Sequence, residues 1–187
     1  MKSLFFITGN KGKLLEAKMK LSDLNIDIVQ KDIGYPEIQT DTLEKVALFG
    51  AEHVQKKLDK PFILEDAGLF IDSLDGFPGV YSAYVFYKIG CSGILKLLEE
   101  KKDNERKATF KSVYAYSESG KKTKLFIGEC NGIISINSKG DHGFGYDPIF
   151  IPNGEIRTFA QMEPEEKNLF SHRGKSLEKL KNFIKNI

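Results

Sequence analysis

Apolar residues along this chain follow two different periods, and the changes of period mark the predicted elements. Residues 3–7 form a short apolar run of the strand type, and residues 26–29 form a second one. Between them, apolar residues recur at steps of three and four through residues 11–24, which predicts an amphipathic helix. Asp41 and Glu44 have the spacing of a capping pair, so they predict the start of a longer helix.

The rest of the chain contains longer strand patterns. An apolar run at residues 62–64 leads directly into an acidic pair, and residues 109–117 and 124–136 are two strands separated by a turn of the hairpin type. A last helix is predicted from Ser176 to the C-terminus. A strand–helix–strand start followed by a hairpin predicts an α/β fold with a mixed sheet.

Composition limits the class of protein. A chain of 187 residues with 41% hydrophobic and 29% charged residues predicts one domain over residues 1–187. The net charge of +2 is too mild to predict a nucleic-acid partner. No apolar run approaches the roughly 20 residues that span a bilayer, so we expect no membrane association and a cytoplasmic location. Cys91 and Cys130 are distant from each other and from histidine in sequence, which predicts neither a disulfide nor a zinc site.

The loop after the first strand has the composition of a phosphate-binding loop. Its glycines allow the backbone to approach a ligand, its neutral polar side chains offer hydrogen bonds and its lysines supply charge. The helix that follows would direct its N-terminal N–H groups at the same anion. The alternative is a glycine-rich turn with surface lysines, and the segment alone does not decide between the two. The candidate residues are Thr8, Gly9, Asn10, Lys11, Gly12 and Lys13.

An acidic pair, Glu65 and Asp66, follows the apolar run at residues 62–64. Because side chains alternate along a strand, the two carboxylates would face opposite sides. A carboxylate beside phosphate-binding groups is what a magnesium (Mg2+) site needs, with substrate phosphates completing the ligand shell. Glu37, in an earlier loop, is the candidate second ligand. The alternative is that Asp66 only caps a turn.

A later glycine-rich segment has the composition of a site for a planar ligand. Phe144 and Tyr146 offer aromatic faces for stacking, and Gly145 between them allows close approach. Asp147 could accept hydrogen bonds from ring N–H groups. The alternative is a structured turn whose aromatic side chains pack into the core.

The fourth candidate segment places two hydrogen-bond donors together. His172 and Arg173 stand just before the predicted last helix and could both donate to carbonyl oxygens, while Lys167 upstream adds a cation. The alternative is a polar cluster on the surface at the start of a helix. The spacing of the nearby glycine and lysine does not fit a P-loop.

Taken together, these segments resemble the inosine/xanthosine triphosphate pyrophosphatase family. Four motifs occur in this sequence in the same order as in that family, at residues 8–13, 65–69, 143–150 and 171–176. The resemblance covers nearly the whole chain. Residues 81–84 are similar to archaeal members. The resemblance implies a homodimer with an elongated mixed β-sheet flanked by helices, and two lobes with a central substrate cleft. It also implies Mg2+-dependent hydrolysis of a nucleoside triphosphate to the monophosphate and pyrophosphate.

The resemblance assigns roles on the phosphate side of this cleft. Thr8, Asn10 and Lys13 would hold the triphosphate. Glu37 and Asp66 would hold Mg2+, and Asp66 would also be the general base that activates water. These assignments follow from the family and not from spacing.

On the base side, the resemblance implies that Phe144 stacks on the purine and that Asp147 meets its ring N–H groups. His172 and Arg173 would face the keto oxygens, and Lys167 would contact the substrate. Many members have Ser or Thr after the Glu-Asp pair, where this chain has Ala67. Only a backbone contact remains there, so we expect a changed affinity and no loss of activity.

A pocket of donors gives a physical basis for selecting the base. Inosine and xanthosine carry an oxygen at position 6, whereas adenosine carries an amino group, and a buried donor left unpaired costs roughly 1–3 kcal/mol. Two rival hypotheses remain, namely a hydrolase of pyrimidine or standard triphosphates and a non-enzymatic nucleotide or RNA binder. The base pocket favours an inosine/xanthosine triphosphate pyrophosphatase over a hydrolase of pyrimidine or standard triphosphates. The paired metal carboxylates favour an enzyme over a binder.

Overall fold

A seven-stranded sheet forms the centre of the computed structural model, which describes residues 2–36 and 38–187. Helices cover both faces of this sheet. The strands are β1 (Lys2–Ile7), β2 (Ile26–Lys31), β3 (Phe62–Ile71), β4 (Pro78–Gly79), β5 (Lys107–Ser117), β6 (Lys124–Ile134) and β7 (Phe150–Pro152). The helices are α1 (Lys11–Lys20), α2 (Leu43–Gln55), α3 (Ser82–Leu97), α4 (Pro164–Phe170) and α5 (His172–Lys185).

The sheet is mixed, as the sequence predicts. Strand order is β2-β1-β3-β5-β6-β7, and β4 pairs with β3 beside this path. β1 pairs in parallel with both β2 and β3, whereas the pairs β3–β5, β5–β6 and β6–β7 are antiparallel. The predicted hairpin is the β5–β6 pair. The α/β fold with a mixed sheet flanked by helices is therefore confirmed.

The end of β1 lies where the parallel part of the sheet meets its antiparallel part. The β1–β3 pairing stops at Ile7 and Leu64, while β3 continues beside β5 as far as Ile71. The loop after β1 and the continuation of β3 therefore start from neighbouring positions. Ligands of open α/β sheets bind at such a point, outside the carboxyl ends of parallel strands.

Alternation along the strands sends apolar side chains to two different cores. Phe6 and Ile63 pack on the face covered by α1 and α5. Ile7 and Leu64, one position further along each strand, pack on the opposite face against α2. A third cluster joins the last part of β3, including Leu69, to α3 and the C-terminal segments. The end of β3 thus lies between two parts of the core.

Two predicted helix starts differ from the structure. The N-cap of α2 is Thr42, whose Oγ1 accepts from the backbone N–H of Lys45, so the predicted capping pair at Asp41 is displaced by one residue. Helix α5 begins at His172 and not at Ser176. Ser171 is its N-cap and accepts a hydrogen bond from the backbone N–H of Gly174 at 3.0 Å.

The helices can also be compared with the thickness of a bilayer. Within the described part of the chain, none is both long enough and apolar enough to cross a membrane.

Candidate active site

A cavity of about 300 Å³ lies beside the carboxyl end of β1. It brings together residues from all four candidate segments. Its lining consists of Asn10, Lys13, Ala67, Gly68, Ser82, Ala83, Phe86, Phe110, Phe144, Gly145, Tyr146, Asp147, His172 and Arg173. The described candidates outside this lining are Thr8, Gly9, Lys11, Gly12, Asp66 and Lys167.

The loop after β1 is held by its own side chains. Thr8 Oγ1 accepts from the backbone N–H of Asn10 at 3.1 Å, and Asn10 Oδ1 accepts from the backbone N–H of Lys13 at 3.0 Å. Asn10 is therefore the N-cap of α1. A Cβ at Gly12 would lie 2.6 Å from carbons of the Phe144 ring. Glycine at this position lets the loop contact the aromatic segment directly.

A series of ion pairs with alternating charges, called the charge chain below, connects this loop to Asp147 in the aromatic segment. Its five nitrogen–oxygen distances lie between 2.7 and 3.1 Å. Glu65 and Glu16 each lie between two cationic side chains, and Asp147 lies next to one. These ion pairs offset the cost of burying the charges. The order of the chain is Lys13, Glu65, Arg173, Glu16, Lys167 and Asp147.

The cationic side chains of the charge chain lower the pKa of two of its three acids. Burial alone would raise the pKa of Glu65, but Arg173 and Lys13 outweigh burial and lower this pKa to about 2. Glu16 is also buried, and Arg173 with Lys167 still lowers its pKa. Burial prevails at Asp147 and raises its pKa, in spite of Lys167. Glu16 and Glu65 are therefore carboxylates at neutral pH.

The aromatic segment folds around Asp147. Oδ2 of this carboxylate accepts from the backbone N–H of Phe144 at 2.8 Å and from Nζ of Lys167 at 2.7 Å. Gly143 has φ 75°, and a Cβ there would collide with the same carboxylate. Tyr146 is buried, which fits the alternative of a packed turn, whereas the half-buried Phe144 forms part of the cavity wall.

The two acids of β3 face opposite sides of the sheet, as their alternation predicts. Glu65 is buried within the charge chain, where Ser112 Oγ donates to its Oε1 at 2.7 Å. Asp66 is half-buried and follows Leu64 on the face that α2 covers. Its Oδ2 accepts from the hydroxyl of Tyr35 at 3.1 Å.

His172 lies on the first turn of α5, at the cavity wall. A Cβ at Gly128 would collide with the backbone carbonyl of His172, so α5 lies directly against β6. The imidazole is parallel to the ring of Phe110, with 4.5 Å between centroids. Burial, followed by the charge of Arg173, lowers the pKa of His172 well below its usual range. Among the described residues, its buried Nδ1 has no hydrogen-bond partner.

We expect neutral His172 to make the folded state sensitive to mild acid. Its pKa is lowered by folding, so below about pH 6.5 the unfolded chain takes up a proton that the folded chain excludes. Stability should then fall as the pH falls. Compared with His172→Asn, the wild type should lose about 1 kcal/mol more between pH 7 and pH 5.5. Urea unfolding at the two pH values measures this difference.

The two proteins in this comparison differ only at position 172, so the difference between their pH dependences isolates the imidazole. Equal pH dependence in the two proteins would contradict a neutral buried imidazole.

This arrangement of loop, charge chain and aromatic wall can be compared with known proteins. A family model described as the Ham1 family matches residues 4–183. The chain belongs to the Ham1 family. The match covers the loop after β1, the acids of β3, the aromatic segment and the start of α5, so all four segments of the resemblance lie within it.

Archaeal relatives are similar over nearly their full length. A protein of Pyrococcus horikoshii named dITP/XTP pyrophosphatase is 52% identical over 182 residues, which are 97% of this chain and 96% of the relative. One of Thermococcus kodakarensis with the same name is 50% identical over 97% of each chain. These matches confirm the resemblance found in the sequence, including the archaeal similarity.

Solved Ham1 structures have the same fold. A Ham1 protein from Coxiella burnetii is similar with a TM-score of 0.85 and 32% identity, over 100% of both chains. The Ham1 protein of Staphylococcus aureus is similar with a TM-score of 0.84 and 31% identity, over 99% of both chains.

The metal ligands expected of a Ham1 chain are only partly described. Glu37 lies outside the described residues. Over residues 2–36 and 38–187, no group of three or more His, Cys, Asp and Glu side chains is placed to hold a metal ion. Asp66 nevertheless fits Mg2+, because its half-buried carboxylate lies two residues beyond Leu64, where the pairing of β1 with β3 stops and the loop after β1 begins. Mg2+ is commonly held by one or two carboxylates together with substrate phosphates.

The sequence reasoning did not identify Glu16, which lies at the centre of the charge chain of this Ham1 protein. One signal was available. Glu16 comes three residues after Lys13, so both lie on one face of α1, and it directly precedes the buried Ala17. No comparable signal marks Phe110, whose contact with His172 depends on how β5 and α5 pack.

Proposed function

We propose that this chain hydrolyses the triphosphates of non-standard purines, among them inosine, deoxyinosine and xanthosine triphosphate, to the monophosphate and pyrophosphate. One observation carries the proposal. The cavity combines an aromatic wall at Phe144 with donors at His172 and Arg173, and it opens beside the loop after β1. The Ham1 relatives named dITP/XTP pyrophosphatase support this substrate class.

The donors at the cavity wall favour a keto oxygen at position 6 of the base. A neutral imidazole carries one N–H, and a guanidinium is a donor only. Arg173 is held in place by Glu65 at 3.1 Å and Glu16 at 2.7 Å. A purine stacked on Phe144 would present its oxygen to these donors. The amino group of adenine would leave a buried donor unpaired, at a cost of roughly 1–3 kcal/mol.

The loop after β1 would hold the triphosphate through its backbone and its lysines. The side-chain oxygens of Thr8 and Asn10 already accept hydrogen bonds that shape the loop. The N–H groups at the start of α1 and the ammonium of Lys13 at the cavity are therefore the groups that would bind phosphate. Lys13 would share its charge between the phosphates and Glu65, which lies 2.7 Å away.

Asp66 would act as the general base. Its position two residues beyond the end of the β1–β3 pairing would let the carboxylate orient a water molecule and take its proton during attack on the α-phosphorus. Asp66 and Glu37 are the residues that would hold Mg2+, which supplies neutralisation of the phosphate charge when bound. Ala67 lines the cavity with a methyl group where many members of the family have a hydroxyl, so contact with substrate would be through its backbone.

A homodimer in the cytoplasm, formed from one domain over residues 1–187, completes the proposal. Supporting a dimer, the first half of α3 presents exposed aromatic side chains, among them Tyr84 at 63% and Tyr87 at 83% exposure. A single domain is supported by the one sheet that contains all described strands. The location follows from the nucleotide pool that such an enzyme would act on, and no nucleic-acid or membrane partner is part of the proposal.

A pyrophosphate-release assay tests this function. We expect release from inosine, deoxyinosine and xanthosine triphosphates, and kcat/KM lower by at least about tenfold for adenosine triphosphate, because one unpaired buried donor corresponds to that factor. Guanosine and cytidine triphosphates complete the panel. Release of orthophosphate would contradict the reaction, and equal rates on all bases would contradict the pocket. Binding without any release would support the nucleotide-binder hypothesis instead.

A further inference from the structure

The hydroxyl of Tyr35 contacts the carboxylate that the proposed reaction depends on. It donates to Oδ2 of Asp66 at 3.1 Å, across 31 positions of sequence. Tyr35 belongs to the segment between β2 and α2, and Asp66 lies in the middle of β3. The bond therefore joins this connecting segment to the strand that carries the proposed base.

The ring of Tyr35 is held on α2 by a glycine. A Cβ at Gly50 would lie 2.7 Å from Cε2 of the ring and 2.9 Å from Cδ2, so a larger residue there would displace the tyrosine. Gly50 is buried on α2, and Tyr35 packs against the apolar cluster that α2 forms with the sheet. The hydroxyl thus reaches Asp66 from a ring whose position is fixed by packing.

We propose that Tyr35 is a positioning residue that fixes the orientation of the Asp66 carboxylate for catalysis and for Mg2+ binding, an inference that rests on the proposed function. The backbone of Asp66 is set by its pairing with Val113 in β5, and side-chain contacts then set the rotation of the carboxylate about its own bonds. A hydrogen bond to one oxygen restricts this rotation and directs the other oxygen.

An orienting hydrogen bond affects both metal binding and proton transfer. Partners that orient metal-binding carboxylates typically contribute 10–100-fold to metal affinity or activity. A general base displaced by a fraction of an ångström also loses catalytic efficiency, because proton transfer needs close alignment.

Tyr35→Phe tests the inference, because it removes only the hydroxyl and keeps the ring on Gly50. We expect kcat for inosine triphosphate to fall about tenfold, with KM changed by less than about twofold. In the absence of nucleotide, calorimetric titration with Mn2+ alone should show an affinity weaker by about tenfold. Gly50→Ala, which displaces the ring but keeps the hydroxyl, should reduce kcat in the same direction.

Tyr116→Phe is the matched control. It also removes a tyrosine hydroxyl that donates to a carboxylate, Glu118, at 3.4 Å, but Tyr116 packs in the apolar cluster on the face covered by α1 and α5, opposite the face that α2 covers. This variant should keep wild-type kcat and Mn2+ affinity, and melting temperatures of all variants report whether they are folded. Unchanged kcat and Mn2+ affinity in Tyr35→Phe would overturn the inference. A wild type that releases no pyrophosphate would instead overturn the proposed function, so the two failures are distinguishable.

Discussion

Replacing Asp66 by asparagine is expected to abolish pyrophosphate release while nucleotide binding persists. Asparagine keeps the size of the side chain and can still accept the hydrogen bond from Tyr35, so we expect the fold to be retained. The amide cannot take a proton from water, and it is a weaker ligand for Mg2+. A general base typically contributes 10²–10⁴-fold, and the lost metal ligand adds to this, so kcat should fall by at least about a thousandfold.

The measurement combines steady-state pyrophosphate release with calorimetric binding of inosine triphosphate to the variant. We expect the binding constant to change by less than about tenfold, because the base pocket and Lys13 are unaltered. Asp72→Asn is the matched control, since Asp72 is an exposed acid directly after β3 and should retain full activity. An Asp66→Asn variant that retains more than about a tenth of wild-type activity would exclude Asp66 as the base.

The longer strands of this fold were the most predictable part, because short-range apolar patterns mark them. The apolar run before Glu65 marks β3, and the acids that follow simply continue the strand to Ile71. The start of α5 was not predictable in this way. His172 and Arg173 have the polarity of surface residues, yet they are 2% and 3% exposed. Their burial depends on ion pairs and ring contacts with distant elements, which no local period can show.

The candidate site likewise has a part that the sequence shows and a part that only the structure shows. Residues that line the cavity come in short segments whose composition is visible in sequence, such as the aromatic segment around Phe144. The residue that connects these segments is hidden, because Glu16 bonds Lys167 across 151 positions and Arg173 across 157. A single acid on an amphipathic helix has the pattern of an ordinary surface charge. Only the packing of α1 against α4 and α5 reveals that it is buried.

Removal of Glu16 is therefore the second large effect that we expect, this time on stability. Glu16→Ala leaves Lys167 and Arg173 buried with one carboxylate fewer between them, so the charge chain would hold three bases and two acids. Breaking a buried ion pair by removing one partner costs about 3–5 kcal/mol, because the remaining charge stays desolvated. We expect a loss of this size in the free energy of unfolding at pH 7, measured by urea unfolding followed by circular dichroism.

Glu178→Ala is the control, because it removes an acid that pairs with Lys20 of α1 at 2.9 Å on the surface. Surface pairs contribute about 0–1 kcal/mol, so this variant should unfold close to the wild type. Acid provides an independent readout. The pKa of Glu16 is lowered by folding, so its stabilisation is present above the unfolded value of about 4.3 and is lost as the pH falls below it. The difference in unfolding free energy between wild type and Glu16→Ala should therefore shrink below about pH 4. A difference at pH 7 no larger than that of Glu178→Ala would show that Lys167 and Arg173 do not need Glu16, and that the charge chain is not the element that joins α1 to α4 and α5.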